Sequence, residues 1–176
     1  MTPLAAVGAG ALAGAVGTAA MDTVRYLRDR RAGTADSPLE WEFPPVEGWK
    51  DAPDPGQVAK RVVEGFTQRP IPDRWAWLTS NAAHWSYGAA MGALYGVVAG
   101  SLRDPRPVYG LPFGAGVWGS GYLFLALGGF YEPIWRYDAK TLAKDLSAHL
   151  AYGAGTGVVF WLVDRVGVLS HRPGCS

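Results

Sequence analysis

Four stretches of this 176-residue chain contain no Asp, Glu, Lys or Arg, and their lengths limit what it can fold into more than any other feature. They run over 1–21, 75–102, 107–131 and 146–163, which is 21, 28, 25 and 18 residues. A helix needs about 20 predominantly apolar residues to cross a bilayer core. Of the 31 charged residues, 19 fall between Asp22 and Arg74. The rest lie in short clusters near 103–106, 132–145 and 164–172. Mean hydropathy is only +0.04 because the polar stretch between the first two windows lowers it. The windows are rich in Gly and Ala, each a weaker insertion signal than Leu.

The expected fold is therefore an all-α membrane protein: one domain over 1–176 with four transmembrane helices at about 4–27, 77–101, 109–134 and 145–164. The segment from 30 to 74 reads as a polar loop, with Ser37-Pro-Leu-Glu-Trp-Glu-Phe-Pro-Pro45 and then Pro53 and Pro55 opposing helix through most of it. Within it, Val58, Val62, Val63 and Phe66 share one helical face while Lys60, Arg61 and Glu64 point elsewhere. That pattern predicts a short amphipathic helix over 57–67, either bedded at the headgroup boundary or packed over the bundle mouth. Trp75 and Trp77 suit the interface where the second span begins.

The first window is read as a retained helix and not as a secretory signal, since a signal carries its basic residues ahead of the apolar core. Here Arg25, Arg28, Arg30 and Arg31 follow it. Lys and Arg also set the orientation. The connection after the first span holds nine and the one after the third holds three, against four on the other side. Short basic loops stay cytoplasmic, so both termini are expected outside, in a multi-pass plasma (inner) membrane protein. A net charge of +1 gives no nucleic-acid footprint. The single Cys175 permits neither an internal disulfide nor a thiolate metal centre. Phosphate loops, nucleophile elbows and His-Glu-x-x-His are absent. No enzyme, no cofactor and no metal site is expected.

The second and fourth spans open on the same pattern, His-x-x-Tyr-Gly-x-x-x-Gly-x-x-aromatic. In one it reads His84, Tyr87, Gly88, Gly92 and Tyr95, and in the other His149, Tyr152, Gly153, Gly157 and Phe160. A weaker echo links Asp22-Thr-Val-Arg25-Tyr26 to Glu132-Pro-Ile-Trp-Arg136-Tyr137. Together they suggest an internal repeat of two hairpins starting from the same side, related by an axis along the membrane normal. Gly88, Gly92, Gly96 and Gly100 form a glycine zipper, with Gly10 and Gly14 on the first span and Gly153 and Gly157 on the fourth. Small faces let helix backbones approach where lipid gives no apolar drive for association.

Polar residues at membrane depth are costly and so become candidates for function. Asp22 and Glu132 end the odd spans, and His84 and His149, with Tyr87 and Tyr152, open the even ones. Each carboxylate is expected beside an imidazole. The pair then either anchors a hairpin, or makes a proton-responsive site for solute or ion permeation, or offers His84 and His149 as axial ligands to haem. His171 lies in a polar tail.

Several of these segments have a familiar look: Met21-Asp22, His84-Trp-Ser-Tyr-Gly-Ala-Ala-Met-Gly-Ala-Leu-Tyr95, Phe113-Gly-Ala-Gly-Val-Trp118, Tyr131-Glu-Pro133 and Leu146-Ser-Ala-His-Leu-Ala-Tyr-Gly153. Over most of its length the chain resembles the YagU-like family of small, largely uncharacterised bacterial inner-membrane proteins. The resemblance implies a plasma-membrane protein loosely associated with acid tolerance, and carries over no catalytic residues. The expected function is accordingly a non-enzymatic stress-tolerance or transport-accessory role. The expected partners are the lipid bilayer and either a second copy or another membrane protein.

Overall fold

The computed structural model describes residues 1–170, with side chains to residue 166, and among these the only regular elements are helices. They are α1 (Pro3–Arg31), α2 (Pro38–Glu42), α3 (Asp54–Thr67), α4 (Ala76–Gly100), α5 (Gly110–Leu127) and α6 (Ala139–Ser170). His171 and Cys175 lie outside the described residues. Three segments are long and apolar enough to cross a membrane: Pro3–Arg31, Pro107–Leu127 and Ala139–Val166. At about 1.5 Å per residue α4 also has the length, but Ser80, Asn81 and His84 make its first half more polar.

Helix ends follow local chemistry. Thr2 caps α1 by accepting the Ala5 N–H at 3.3 Å, Pro3 occupies the first turn, and Arg28, Arg30 and Arg31 crowd the last turn. Basic side chains there meet the negative end of the helix dipole. The α5 helix stops at Leu127, seven residues short of the expected 134, because Gly129 takes φ +71° and turns the chain. Conversely, α6 starts at Ala139 instead of 145 and runs past 164. Charged Lys140, Lys144 and Asp145 lie on its first two turns, where a helix projecting beyond an apolar slab keeps them hydrated. The polar loop also contains α2, where no helix was expected, and α3 begins three residues before 57.

Backbone packing runs in the order α4, α1, α6, α5, and side chains close the arrangement, since the Tyr95 ring of α4 lies 4.9 Å from the Phe113 ring of α5. Both the α1–α4 and α5–α6 pairs are antiparallel, as the glycine contacts show. A Cβ on Gly10 would stand 2.8 Å from the Gly96 Cα, and one on Gly14 would stand 2.7 Å from the Gly92 Cα. In the other pair, a Cβ on Gly153 would stand 2.9 Å from the Gly114 Cα, and Gly157 faces Gly110. Backbones this close leave no room for a side chain. Gly100 instead meets the Ala6 Cβ and the Phe160 ring.

Two apolar layers fill the interior. Ala13, Tyr95, Ala99 and Phe160 make one, in which the Tyr95 and Phe160 rings meet edge-on at 5.6 Å. Met21, Val117, Ala148 and Tyr152 make the second, about two helical turns nearer the end where α2 and α3 lie. Phe113 touches both layers. That end is the loop side of the molecule.

Over the loop side, α3 packs on α4, with Gly56 against Ser80. Its apolar stripe is not buried there: Val62, Val63 and Phe66 are exposed, Phe66 by 88%. Arg61 extends from α3 to donate to the Gly128 carbonyl at 2.6 Å and lies over the Phe130 ring. One strap thus touches both helix pairs.

Candidate functional site

Asp22 and His84 meet where α1 leaves the interior and α4 enters it. His84 Nε2 lies 2.8 Å from Asp22 Oδ2, and Asp22 is only 5% exposed. The pairing of a carboxylate with an imidazole is thus present on this half of the molecule.

The other half differs. Glu132 does not reach His149, because α5 has already ended and the intervening turn carries Glu132 into solvent, 4.0 Å from Arg136. His149 Nδ1 instead donates to the Asp145 carbonyl at 3.0 Å, one turn back on its own helix. Asp145 Oδ1 is 3.6 Å from the same nitrogen and 3.2 Å from Arg25. The glycine contacts explain the asymmetry. Gly14 sits against the Gly88 carbonyl and Gly92, as Gly110 sits against the Gly153 carbonyl and Gly157. Counting eight residues on from each reaches Asp22 in α1 but Trp118 in α5. No carboxylate occupies the matching place, and the Trp118 Nε1 is buried without a hydrogen-bond partner.

The two tyrosines of the shared pattern also diverge. Tyr152 is buried and donates to the Gly88 carbonyl at 2.7 Å, whereas Tyr87 is half exposed. Even so, both histidines face one small cavity of about 40 Å³, lined also by Thr18, Met21, Tyr87 and Tyr152. Typical ligand pockets measure roughly 300–1,000 Å³. A haem between these imidazoles would require the helices to part.

A larger cavity of about 520 Å³ opens on the loop side. Arg25, Arg28, Asp29, Lys144 and Asp145 line it together with Tyr131. Arg28 fastens its wall by donating to the Lys144 carbonyl at 2.7 Å and to Ser147 Oγ at 2.6 Å. Tyr131 donates to Asp54 at 3.0 Å, and burial, reinforced by the Asp54 charge, raises its phenol well above the ordinary value. Ala148, at the cavity lining, also belongs to the buried layer of Met21, Val117 and Tyr152. No protein-family model, curated protein or solved structure matches this chain.

One functional candidate had no signal in the sequence. Glu42, on the five-residue α2, comes to the Asp22–His84 pair, so that one donor atom from each of the three lies within 4.8 Å of the others. Burial raises the Glu42 carboxyl above the usual carboxylate range and the Asp22 charge adds to this, while His84 and Trp85 act in the opposite direction. In the chain Glu42 is simply one acid in a Pro-rich loop. Asp145 likewise carries no signal in the sequence, and Tyr131 stands there only within Tyr131-Glu-Pro133; the packing of α1 on α6 and the turn after α5 bring them to the cavity.

Proposed function

We propose that this chain is a multi-pass protein of the plasma membrane in which α1, α4, α5 and α6 all cross the bilayer as two related hairpins, with both termini outside the cytoplasm. The Lys and Arg asymmetry of the connecting segments supports the orientation, and the matched glycine contacts of the two pairs support the repeat. The exposure of Val62, Val63 and Phe66 supports a position for α3 at the headgroup boundary. Membership of the YagU-like family belongs to the same proposal and rests on the motifs quoted above.

Its role is that of a non-enzymatic transport-accessory or stress-tolerance component whose cytoplasmic cavity receives a small charged solute. The observation that carries this is the loop-side cavity of about 520 Å³ with charges of both signs on its wall. A site of this size holds a small metabolite, and three cations facing three carboxylates favour a ligand that itself carries both signs. The inner layer of Ala13, Tyr95, Ala99 and Phe160 closes the way onward, which weighs against a continuous permeation path through one copy.

Thr141→Trp tests the reading, because it fills the cavity from the exposed first turn of α6. Small zwitterions, anions and polyamines would be screened for thermal stabilisation of the purified protein. A zwitterion that stabilises the parent and not Thr141→Trp is the expected result. A panel in which no class shifts the parent, or shifts both proteins alike, would remove the solute-binding role.

A further inference from the structure

Three donors from three different helices converge beside the α1–α4 contact: Asp22 of α1, Glu42 of α2 and His84 of α4. Asp22 is almost completely buried, and its Oδ2 is 2.8 Å from His84 Nε2. Neither Asp22 nor Glu42 forms an ion pair with any Lys or Arg among the described residues. With a neutral imidazole the group carries two negative charges. Even an imidazolium would leave one uncompensated. Buried charges persist when they are paired or when they bind a metal, so the group holds a charge imbalance that a cation would relieve. The larger loop-side cavity has none, since Arg25, Arg28 and Lys144 there face Asp29, Asp54 and Asp145.

We infer that Asp22, Glu42 and His84 form a binding site for one divalent first-row transition-metal ion. The donor set selects the ion class. One imidazole nitrogen with two carboxylate oxygens suits Zn²⁺, Mn²⁺ or Co²⁺, whereas Mg²⁺ and Ca²⁺ favour shells made of oxygen alone. In a tetrahedral site with bonds of about 2.0–2.1 Å, neighbouring donors stand about 3.4 Å apart. The Asp22–His84 pair, now at 2.8 Å, therefore opens by about 0.6 Å and Glu42 swings inward, a movement that side-chain rotation supplies. Three protein ligands leave at least one position for water or an anion. Because Glu42 belongs to the short α2, the ion pins the connection between α1 and α3 onto the membrane end of the bundle. This inference is independent of solute binding in the larger cavity.

The test uses the full-length protein in detergent, with any affinity tag removed, stripped by chelator and carrying His171→Gln and Cys175→Ser so that the C-terminal segment offers no competing ligand. Co²⁺ is added as the spectroscopic probe and Zn²⁺, Mn²⁺ and Mg²⁺ are compared by calorimetry. One equivalent of Co²⁺ should produce ligand-field absorption that Zn²⁺ displaces, with Mg²⁺ at the same concentration giving no binding heat. His84→Gln and Glu42→Gln should each weaken Zn²⁺ by at least about 10-fold, the lower end of the loss seen when even a supporting partner of a metal site is removed. Both variants keep side-chain volume, and Glu42→Gln lies outside the helix bundle. Metal-free melting of Glu42→Gln close to that of the parent would show that the fold is intact. Absence of one-to-one binding in the parent, or equal Zn²⁺ affinity in the parent and a folded Glu42→Gln, would overturn the site.

Discussion

Tyr152 donates its phenolic hydrogen to the backbone carbonyl of Gly88 at 2.7 Å, tying α6 to α4 across the face of α1. The same two helices also meet where Tyr95 and Gly100 face the Phe160 ring. Gly88 matters here because a Cβ on it would collide with Thr18 Oγ1, so glycine keeps this part of α4 close to α1. Removing the hydroxyl with Tyr152→Phe leaves the ring packed against Phe113 and takes away only the interhelical hydrogen bond. The expected loss is about 0.6–1.5 kcal/mol, the range for one such bond in a membrane or a buried site. Tyr87→Phe, at the half-exposed position of the shared pattern, should change nothing measurable. Melting of the two variants in one detergent decides it, and equal effects would mean that the Tyr152 bond is not a tie between helices.

Glycine substitutions should divide by what a Cβ would meet. At Gly92 it would fall within 2.6 Å of the Gly14 nitrogen, whereas at Gly116 nothing lies within 4 Å. Overpacking of a close contact costs about 1–3 kcal/mol, and neighbouring backbone cannot rotate aside as a side chain can. Gly92→Ala should therefore lower the melting temperature in detergent by several degrees, and Gly92→Leu should prevent accumulation of the folded protein. Gly116→Ala should melt with the parent or slightly above it, since it removes unfolded-state freedom. A Gly92→Ala protein as stable as the parent would show that α1 and α4 do not approach this closely.

The start of α6 carries a pH-dependent cap. Asp138 accepts the Thr141 backbone N–H at 3.0 Å and the Thr141 hydroxyl at 2.7 Å, and these bonds hold its carboxyl below the ordinary range. A lowered folded-state value means that the contribution to stability is present above the unfolded value of about 3.9. It is lost as pH falls through the lower folded value. Amide exchange at Thr141 and Leu142 should accelerate as the sample is acidified below about pH 4, beyond the intrinsic trend. Asp138→Asn retains an acceptor at the cap but should abolish this acid-induced change. If the mutant amides respond to acid as the parent's do, the carboxylate is not the group responsible.

The sequence exposed some of this arrangement and concealed the rest for definite physical reasons. Glycine period showed which faces can approach closely, because only glycine leaves such a groove, and the contacts of Gly10, Gly14, Gly92 and Gly96 lie on those faces. The limits of the charge-free windows were poorer guides. A window lasts until the next charge, but a helix lasts until its backbone turns, so Gly129 ended α5 well before the charge at Glu132 and removed Glu132 from His149. Likewise α6 starts among charges that the window excluded. Glu42 was illegible for a third reason: its neighbours come from α1 and α4, on either side of a loop whose path no periodic pattern describes.

The decisive question for topology is whether α4 crosses, since among the described residues it is not one of the three segments whose length and composition alone suffice. Its position supports the proposed crossing. It lies along α1 for most of its length, from Ala6 near Gly96 and Gly100 to Asp22 at His84, so a membrane-crossing α1 carries α4 across with it. Hydrogen bonds within the helix reduce the cost of its polar residues, because Ser80 returns its hydroxyl to the Ala76 carbonyl and Asn81 donates to the Trp77 carbonyl. Two reporters, one active only outside the cytoplasm and one only inside, should be fused after residue 50 and at the C-terminus. Four crossings place residue 50 inside and the C-terminus outside, so the reporters give opposite answers. If α4 instead lay along the surface, α1, α5 and α6 would make three crossings and both positions would report the cytoplasm. Matching cytoplasmic signals, obtained with fusions that accumulate to similar levels, would therefore remove the fourth span and with it the two-hairpin arrangement.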